Sequence, residues 1–194
     1  MSLEELWRLF PIQLSTYDRR WPSWYEHESE RLHALFGQAV FRVSHIGSTS
    51  VPGLLSKPIV DVLLEVKPEL SGDSVTEMLM AEGWLVMATT DQPFRVDLNK
   101  GYTTRGFAER VFHLHVVRPG DHDELYFRDV LRVDADVRSQ YADLKRGLLA
   151  RFEHDRDAYT NAKTGFVRSV TVAARSRFPG RYSEGGSLSS VQTF

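Results

Sequence analysis

The sequence of 194 residues contains no cysteine. Without thiols the chain cannot form a disulfide, a thiolate zinc site, an iron–sulfur cluster or a cysteine nucleophile. Any bound metal ion must therefore be held by imidazoles, carboxylates or other oxygen donors. The sequence also lacks the run of about 20 apolar residues that a membrane-spanning helix requires, and its first ten residues carry acids where a secretory signal carries bases. These absences predict a cytoplasmic protein with no membrane partner.

An excess of charge of one sign is also missing, because 24 Lys and Arg residues are balanced by 26 Asp and Glu residues. No segment is a basic domain, so duplex nucleic acid is a poor candidate partner. The chain is long enough to bury roughly 70% of its unfolded surface in one core. We therefore expect a single domain over residues 1–178, followed by a tail over 179–194 that is flexible or packed on the surface. No pattern in the sequence indicates an oligomeric state.

Hydrophobic periodicity and turn residues predict the secondary structure. A helix is expected over residues 22–36, and Asp73, Asp121 and Asp134 are predicted to cap three later helices. The strand-like segments are 39–46, 58–66, 84–87, 94–98 and 111–117, and residues 99–110 are predicted to form a functional loop or a solvated hairpin. The order of helix, mixed sheet and helices predicts an α+β domain with a C-terminal helical part.

The first group of candidate functional residues joins a turn to a strand. Gly47 and Ser48 follow one predicted strand, and Asp61 lies inside the next, which is almost continuously apolar. A Gly-Ser turn lets backbone amides and a hydroxyl approach a phosphate closely. A carboxylate in a buried strand is unfavourable unless it binds a metal or a charged partner. Together these residues indicate phosphate chemistry, whereas a Gly-Ser pair alone is more often a simple turn.

The acids of this strand do not match a two-metal site. Residues 61, 63 and 65 share one face of a strand, and two-metal phosphoryl transfer needs carboxylates close enough to hold ions roughly 3.5–4 Å apart. The middle position is Leu63. Glu65 lies about 13 Å along the strand from Asp61, so it is a poor substitute for the second carboxylate.

Two histidines form the second group. His113 and His115 lie two residues apart in an apolar strand and therefore share a face. Together with Asp61 they can hold one metal ion, or they can bind a phosphate or move a proton near neutral pH. The alternative is a pair of histidines hydrogen-bonded at a sheet edge. Because His45 and Asp61 also interrupt apolar strands, we predict catalytic and metal-binding roles for Asp61, His113 and His115.

Cations and hydroxyls near these strands are candidates for binding a phosphorylated substrate. Lys57 is the strongest of the cations, because it lies between the Gly-Ser turn and the acid-bearing strand. Arg128 equally fits an ordinary helical ion pair. Lys145 and Lys163 belong to the same scattered set of cations, of which some can bind an anion and most are expected on the solvated surface. The substrate-binding candidates are His45, Gly47, Ser48, Thr49, Lys57, Lys100 and Arg128.

Aromatic residues of the late helices have two interpretations. Tyr141 and Tyr159 can form a wall on which a base stacks. Aromatic residues at helical spacing are more often part of the core. We therefore expect these two side chains in the core.

Several of these segments together resemble a known family. The sequence HIGSTSVPGL over residues 45–54, followed by KPIVD over 57–61, is similar to the GrpB family. Further similarities in the same order are Tyr17-Asp18, HLHV over 113–116, FRD over 127–129, YADLK over 141–145 and Tyr159 with Lys163. The resemblance covers roughly residues 12–174 and implies a nucleotidyltransferase-like fold, with a mixed sheet flanked by helices. In that superfamily a Gly-Ser turn holds a triphosphate and acids bind magnesium, which implies such roles for Gly47, Ser48 and Asp61, with leucine in place of the second acid.

Three functional hypotheses remain open at this point. The first is a nucleotidyltransferase-like protein that binds a nucleotide or another phosphorylated small molecule, with metal-dependent nucleotidyl or phosphoryl transfer. Its candidate cofactor is Mg²⁺, Mn²⁺ or Zn²⁺. The second is a non-catalytic ligand-binding or interaction module with a degenerate active site. The third is a single-metal hydrolase that uses His113 and His115.

Overall fold

The computed structural model describes Glu5 and residues 8–183 of the chain. The helices after residue 20 are α1 (Trp21–Phe36), α2 (Gly72–Ala81), α3 (Asp123–Val133), α4 (Ala135–Phe152), α5 (Arg156–Asn161) and α6 (Thr164–Arg177). The strands are β1 (Val40–Ile46), β2 (Val60–Val66), β3 (Leu85–Asp91), β4 (Phe94–Thr103) and β5 (Gly106–Val117). Two short 3₁₀ turns, Gly37–Ala39 and Ser48–Ser50, precede and follow β1. No helix within the described residues is long and apolar enough to cross a membrane.

The five strands form one sheet in the order β1-β2-β5-β4-β3. The central pair, β2 and β5, is parallel, and the other three pairs are antiparallel. This arrangement confirms the predicted α+β class, with a mixed sheet flanked by helices and a helical C-terminal part. The parallel pairing places Asp61 beside His113 and Leu63 beside His115.

One face of the sheet carries the main core. Alternate residues of β2, from Val60 to Val66, point to this face and are fully buried. They pack against Trp21 and Leu32 of α1 and against Leu79 of α2. The burial of these large apolar side chains explains why β2 reads as a nearly continuous apolar strand.

The opposite face is covered over only part of its width. Leu63 of β2 and Val117 of β5 are buried there with Tyr126 of α3 and Ala174 of α6. On β4, by contrast, residues 95, 97 and 99 alternate with buried neighbours and are partly exposed. This face therefore changes from an apolar interface under the helices to an accessible polar surface, and the predicted site residues of β2 and β5 belong to it.

Two of the three predicted helix caps differ from the structure. Ser71, and not Asp73, caps α2 by accepting a hydrogen bond from the Ser74 backbone amide. No side-chain cap begins α3, because the Asp121 carboxylate instead accepts hydrogen bonds from Tyr126 and from the Tyr182 amide. Only Asp134 caps as predicted, at the start of α4. Long-range partners therefore take precedence over the local capping pattern at Asp121.

The segment 99–110 is a β-hairpin and not an open loop. Strands β4 and β5 continue through it, and Thr103 pairs with Gly106 beside the turn. Gly101 has a φ of +90°, and a Cβ at this position would come within 3.0 Å of Val111 Cα. Of the two predicted alternatives, the structure therefore shows the hairpin, and the glycine allows its two strands to approach each other.

The first residues of the predicted tail are packed on the surface. Tyr182 is buried against Tyr126 of α3, and its hydroxyl donates a hydrogen bond to Asp129. Its carbonyl accepts a hydrogen bond from Arg42. Residues 184–194 of the predicted tail lie outside the described part of the chain, as do residues 1–4, 6 and 7 of the predicted domain.

Candidate functional site

The candidate site begins at the turn that follows β1. Gly47 has a φ of +66°, a conformation that favours glycine. A Cβ at this position would clash with the Asp61 carboxylate, which packs directly against the turn. Ser48 follows and begins a 3₁₀ turn that Ser50 stabilises by donating a hydrogen bond from its hydroxyl to the Gly47 carbonyl. The glycine is therefore required both by its own backbone conformation and by the close approach of the acid.

A hydrogen-bonded chain connects Asp61 to two neighbouring strands. His113 Nδ1 lies 3.2 Å from Asp61 Oδ1, and His113 Nε2 lies 2.8 Å from the Tyr102 hydroxyl. Arg156 in turn donates to that hydroxyl oxygen over 3.2 Å. A neutral imidazole that donates from Nδ1 and accepts at Nε2 satisfies all of these contacts. Asp61 and His113 thus form a carboxylate–imidazole pair of the kind that can move a proton.

Three lysines from distant parts of the sequence converge on the same place. Lys57 precedes β2, Lys145 lies on α4, and Lys163 immediately precedes α6. All three line one pocket of about 230 Å³ together with Gly47, Ser48, Asp61 and His113. The Lys145 ammonium donates hydrogen bonds to the Ser48 hydroxyl, over 3.1 Å, and to the Leu55 carbonyl. The pocket therefore combines the Gly-Ser turn with three ammonium groups and one carboxylate.

Two tyrosines line this pocket and contact the lysines. Lys163 Nζ lies 4.5 Å from the centre of the Tyr159 ring, and Lys57 Nζ lies 5.5 Å from it. Lys145 Nζ lies 4.6 Å from the Tyr141 ring centre. The Tyr159 hydroxyl is buried, and no described residue hydrogen-bonds to it. The aromatic faces partly compensate the ammonium charges by cation–π interaction, but they supply no counter-charge.

The electrostatics of the pocket favour an additional anion. Burial and repulsion between the lysines lower the pKa of Lys145 and that of Lys163 to about 7 in each case. Burial and the charge of Arg156 also lower the pKa of Lys57. For Asp61, burial acts to raise the pKa, but the His113 hydrogen bond and nearby cations outweigh it and hold that pKa below its usual value. The carboxylate is thus ionised, while the ammonium groups lack sufficient negative charge around them.

His115 lies beyond this pocket on the same strand. Its Nδ1 lies 2.6 Å from Asp97 Oδ1 on β4. Arg95 donates to the same carboxylate and to Glu124. The structure therefore brings together Asp61 and His113 from the predicted metal-binding trio, and it places His115 in a separate network with Asp97, Arg95 and Glu124.

Four other predicted substrate-binding residues lie outside the pocket lining. His45 is buried, stacks on Tyr25 and contacts the Thr49 hydroxyl at 3.1 Å. His45 and Thr49 therefore stabilise the turn from its buried side. Lys100 pairs with Glu28, and Arg128 pairs with Asp129. The pairing of Arg128 with Asp129 corresponds to the ordinary helical ion pair that the sequence left open as an alternative to substrate binding. Of the substrate-binding candidates, Gly47, Ser48 and Lys57 line the pocket.

The donor set of the pocket does not fit a two-metal centre. Asp61 is its one carboxylate among the lining residues, and three lysines stand beside it. Leu63, at the position of a second acid, is fully buried beneath α3. In the described part of the chain no three His, Cys, Asp or Glu side chains come together as a metal site. The lining therefore offers one carboxylate and one imidazole to a metal ion, which are too few ligands for a two-metal centre.

Four further residues line the pocket that the sequence did not assign to it. Lys145 and Lys163 were among cations of which most were expected on the surface. Tyr141 and Tyr159 are buried in apolar clusters, as expected, and they line the pocket as well. The available signal was the family resemblance, which includes each of them. A second signal was the scarcity of lysine, since only five are present in the chain. Neither signal shows that α4, α5 and α6 turn these residues toward the Gly-Ser turn.

A larger groove lies elsewhere, between α3, the start of α4 and α6. Its volume is about 620 Å³, and its walls are mainly Val and Ala side chains with Phe178. The ionisable residues that line it are Asp134, Asp136 and Arg177. Asp134 serves as the cap of α4. The smaller pocket is the better candidate site, because several buried ionisable groups converge there.

Comparison with known proteins places the fold in a defined group. The family model described as GrpB protein matches residues 11–172. The UPF0157 protein SCO7215 of Streptomyces coelicolor is 36% identical over 166 residues, which cover 84% of this chain and 84% of that protein. The UPF0157 protein YqkA of Bacillus subtilis is 28% identical over 192 residues, which cover 96% of this chain. The match spans only 54% of the length of YqkA.

Solved structures give the same result. The crystal structure of the conserved protein GrpB from Enterococcus faecalis superposes with a TM-score of 0.75 and 26% identity, and the match covers 86% of this chain and 99% of that one. The Cid1 poly(U) polymerase in its Mg 3′-dATP-bound structure has a TM-score of 0.50 and 12% identity over 82% of this chain and 51% of that one. The second similarity shows the fold alone, which is nucleotidyltransferase-like as the resemblance implied.

Proposed function

The chain belongs to the GrpB family, and we propose that it binds a nucleotide or another phosphorylated small molecule in the pocket beside Gly47 and Ser48. The observation that carries this proposal is the convergence of Lys57, Lys145 and Lys163 on that turn. Three partly or fully buried ammonium groups that share one carboxylate form an unbalanced cluster of positive charge. A phosphate chain supplies both the missing charge and several hydrogen-bond acceptors.

The position of Asp61 and His113 extends this proposal to transfer chemistry. The pair lines the same pocket as the lysines, and His113 is oriented by hydrogen bonds at both ring nitrogens. A hydroxyl that attacks the bound phosphate can pass its proton to the Asp61 carboxylate, which the His113 imidazole orients by a hydrogen bond. As the new P–O bond forms, the P–O bond to the leaving nucleoside diphosphate or pyrophosphate breaks, and the lysines stabilise the negative charge of that leaving group.

A non-catalytic binding module is the second candidate, and one observation favours it. The acid that would complete a two-metal site is replaced by Leu63, which is buried in an apolar cluster. A module of this kind binds the same phosphorylated ligands without turnover. The single-metal hydrolase receives no such support, because His115 is paired with Asp97 outside the pocket.

Ligand-induced stabilisation tests the binding proposal. Thermal unfolding is measured with the four common nucleoside triphosphates and with pyrophosphate, each with Mg²⁺, Mn²⁺, Zn²⁺ or EDTA. We expect at least one of these ligands to raise the melting temperature of the wild-type protein, because a ligand bound only to the folded state stabilises it. The same ligand is expected to have a much smaller effect on Lys163→Met.

Lys67→Met is the matched control for that substitution. Lys67 follows directly after β2 and lies about 20 Å along the strand from Asp61, at roughly 3.3 Å per residue. The control should respond to the ligand like the wild type. A panel in which no ligand stabilises the wild type, or in which both lysine variants respond equally, would falsify the proposal. Incubation of the stabilising ligand with candidate acceptors, followed by phosphorus NMR, then separates transfer from binding alone.

A further inference from the structure

We infer that the three ammonium groups of Lys57, Lys145 and Lys163 take the place of the divalent cations in neutralising the bound phosphate chain. The ligand class is a di- or triphosphate that binds as the free anion. This inference rests on the proposed phosphate site and adds its counter-ion: positive charge built into the protein in place of a metal.

The first support is that the position of the second acid, residue 63, is buried against the helices and does not face the pocket. Leu63 has no exposed surface and contacts the core formed by Tyr126 of α3 and Ala174 of α6. A carboxylate at this position would lie in that apolar interface and not in the pocket. The next acid on the same face, Glu65, is fully buried and paired with Arg42. Strand β2 thus supplies the pocket with a single carboxylate, that of Asp61.

The second support is that this carboxylate is already engaged. One of its oxygens contacts the His113 imidazole, and the other packs against the Gly47 turn. A divalent cation would have to compete with the imidazole for one oxygen and would share the pocket with three ammonium groups. Repulsion between like charges opposes that arrangement, and in a partly buried site it is stronger than in water. The same charges attract a phosphate chain.

The third support is an uncommitted set of hydrogen-bond donors around the pocket. Among the described residues, the ammonium groups of Lys57 and Lys163 form no hydrogen bond and no ion pair, and their recorded contacts are with the Tyr159 ring. The Tyr159 hydroxyl is also buried without a hydrogen-bond partner. The Tyr159 hydroxyl is the buried member of this set, and a buried donor without a partner is unfavourable. An anion in the pocket would accept hydrogen bonds from the two partly exposed ammonium groups.

The size of the pocket defines which part of a ligand enters it. Its volume of about 230 Å³ is below the range of roughly 300–1,000 Å³ that is usual for pockets holding a drug-sized molecule. It therefore suits a short phosphate chain and not a complete nucleotide. The rest of a nucleotide ligand would lie outside the pocket.

Binding is expected to take up protons at slightly alkaline pH. Without ligand, burial and the charges of neighbouring lysines lower the pKa of Lys145 and that of Lys163 to about 7 in each case. A bound anion raises the pKa of each lysine, so the complex holds more protons than the free protein. The charged or titratable groups that face the lysines are Asp61 on β2, His113 on β5, Tyr141 and Arg146 on α4, and Arg156 and Tyr159 on α5.

Isothermal titration calorimetry tests the inference with ATP and with pyrophosphate as probes. Each is titrated in EDTA and again with Mg²⁺ at pH 8. We expect dissociation constants that agree within about threefold between the two conditions, and at least tenfold weaker binding by Lys163→Met in EDTA. With ATP, titrations in buffers of different ionisation enthalpy should report net proton uptake.

Two further variants distinguish a loss of phosphate binding from a loss of folding. Lys163→Arg retains a positive charge that does not titrate, so it should bind ATP with less proton uptake than the wild type. Lys67→Met should match the wild type in affinity and in proton uptake. Binding that requires Mg²⁺ overturns this inference and leaves the proposed phosphate site standing. An absence of binding by both probes in both conditions overturns the inference and the proposed function together.

Discussion

Two carboxylates lie on the same face of β2 in very different surroundings. Glu65 is fully buried, and its partners are the Arg42 guanidinium, His122 and the Gly120 amide. Asp61, four residues earlier, is 26% exposed at a pocket that holds three lysines. At one end of the strand each charge has a protein partner, whereas at the other end positive charge exceeds negative charge.

The difference separates a structural ion pair from a binding site. At Glu65, the strong hydrogen bonds and the neighbouring cations outweigh burial and hold the pKa of the carboxyl below its usual value. Nothing further is needed to neutralise that end of the strand. The excess ammonium groups around Asp61 are costly for the folded protein until an anion binds. An excess of positive charge that destabilises the free protein is typical of a site that binds an anion.

The largest expected effect of a single substitution is on stability, at the balanced end. Glu65→Gln removes the charge that compensates the largely buried Arg42. We expect it to lower the free energy of unfolding by roughly 3–5 kcal/mol, because breaking a buried ion pair leaves the remaining charge unpaired. Urea denaturation followed by circular dichroism measures this change.

The exposed Glu69 provides the control for that substitution. Glu69→Gln should change the free energy of unfolding by less than about 0.5 kcal/mol. Asp61→Asn should also be less destabilising than Glu65→Gln, because the Asp61 side chain is partly exposed, so water can solvate the charges left behind, whereas Glu65 has no exposed surface. Equal losses for Asp61→Asn and Glu65→Gln would contradict the division of β2 into a functional and a structural end.

The second expected effect concerns pH and the turn that supports the pocket. Burial lowers the pKa of His45 to about 4, against 6.5 for an ordinary histidine, although Asp61 acts in the opposite direction. Between these values the unfolded chain binds more protons at this residue than the folded protein does. The contribution of His45 to the free energy of unfolding is therefore fully present above pH 6.5 and is lost as the pH falls toward 4.

His45→Gln removes this titration and retains a polar group opposite Thr49. Between pH 7 and pH 5, the free energy of unfolding of the wild type should fall by about 2 kcal/mol more than that of the variant. Chemical denaturation at both pH values measures the two decreases. Parallel decreases in the two proteins would show that His45 is protonated in the folded state with an ordinary pKa.

The third expected effect is the opposite of the first, with a loss of binding and no loss of stability. Lys163→Met removes one ammonium group whose described contact is the Tyr159 ring. We expect at least tenfold weaker phosphate binding, which is about 1.4 kcal/mol. The free energy of unfolding without ligand should stay the same or increase, because the variant removes a desolvated charge. A clear decrease would mean that Lys163 stabilises the free protein.

The smallest expected effect is at His115. Its imidazole is paired with Asp97, outside the pocket lining. His115→Gln should therefore change the affinity for a phosphate ligand by less than about threefold. His113→Gln should change this affinity more, because it removes the imidazole that contacts the Asp61 carboxylate. Calorimetric titration of both variants compares them. A larger loss with His115→Gln would place the ligand further along β5 than we propose.

The sequence was most informative where local pattern and buried surface agree. The apolar run around Asp61 predicts a central strand, and β2 occupies residues 60–66 in the middle region of the sheet. The small residues after β1 predict the turn at Gly47. These features follow from periodicity and from backbone conformation, which are properties of neighbouring residues.

The lysine cluster could not be predicted in the same way. Lys145 contacts Ser48, which lies 97 positions earlier in the chain. Such contacts depend on how α4, α5 and α6 pack beside the sheet, and helical periodicity shows only which residues share a helix face. The separation of His113 from His115 had a similar cause, because the partner of His115 is Asp97 on another strand. The family resemblance pointed to these residues without indicating their geometry.

The position at which a phosphate chain binds distinguishes most directly between the lysine pocket and any other site on the protein. A crystal structure of the protein grown with ATP in the presence of EDTA would show this position. We expect phosphate density within hydrogen-bond distance of the ammonium groups of Lys57, Lys145 and Lys163, next to the Gly47–Ser48 turn. Phosphate density at another place on the protein, with no contact to these three lysines, would contradict the proposal that they bind the phosphate chain.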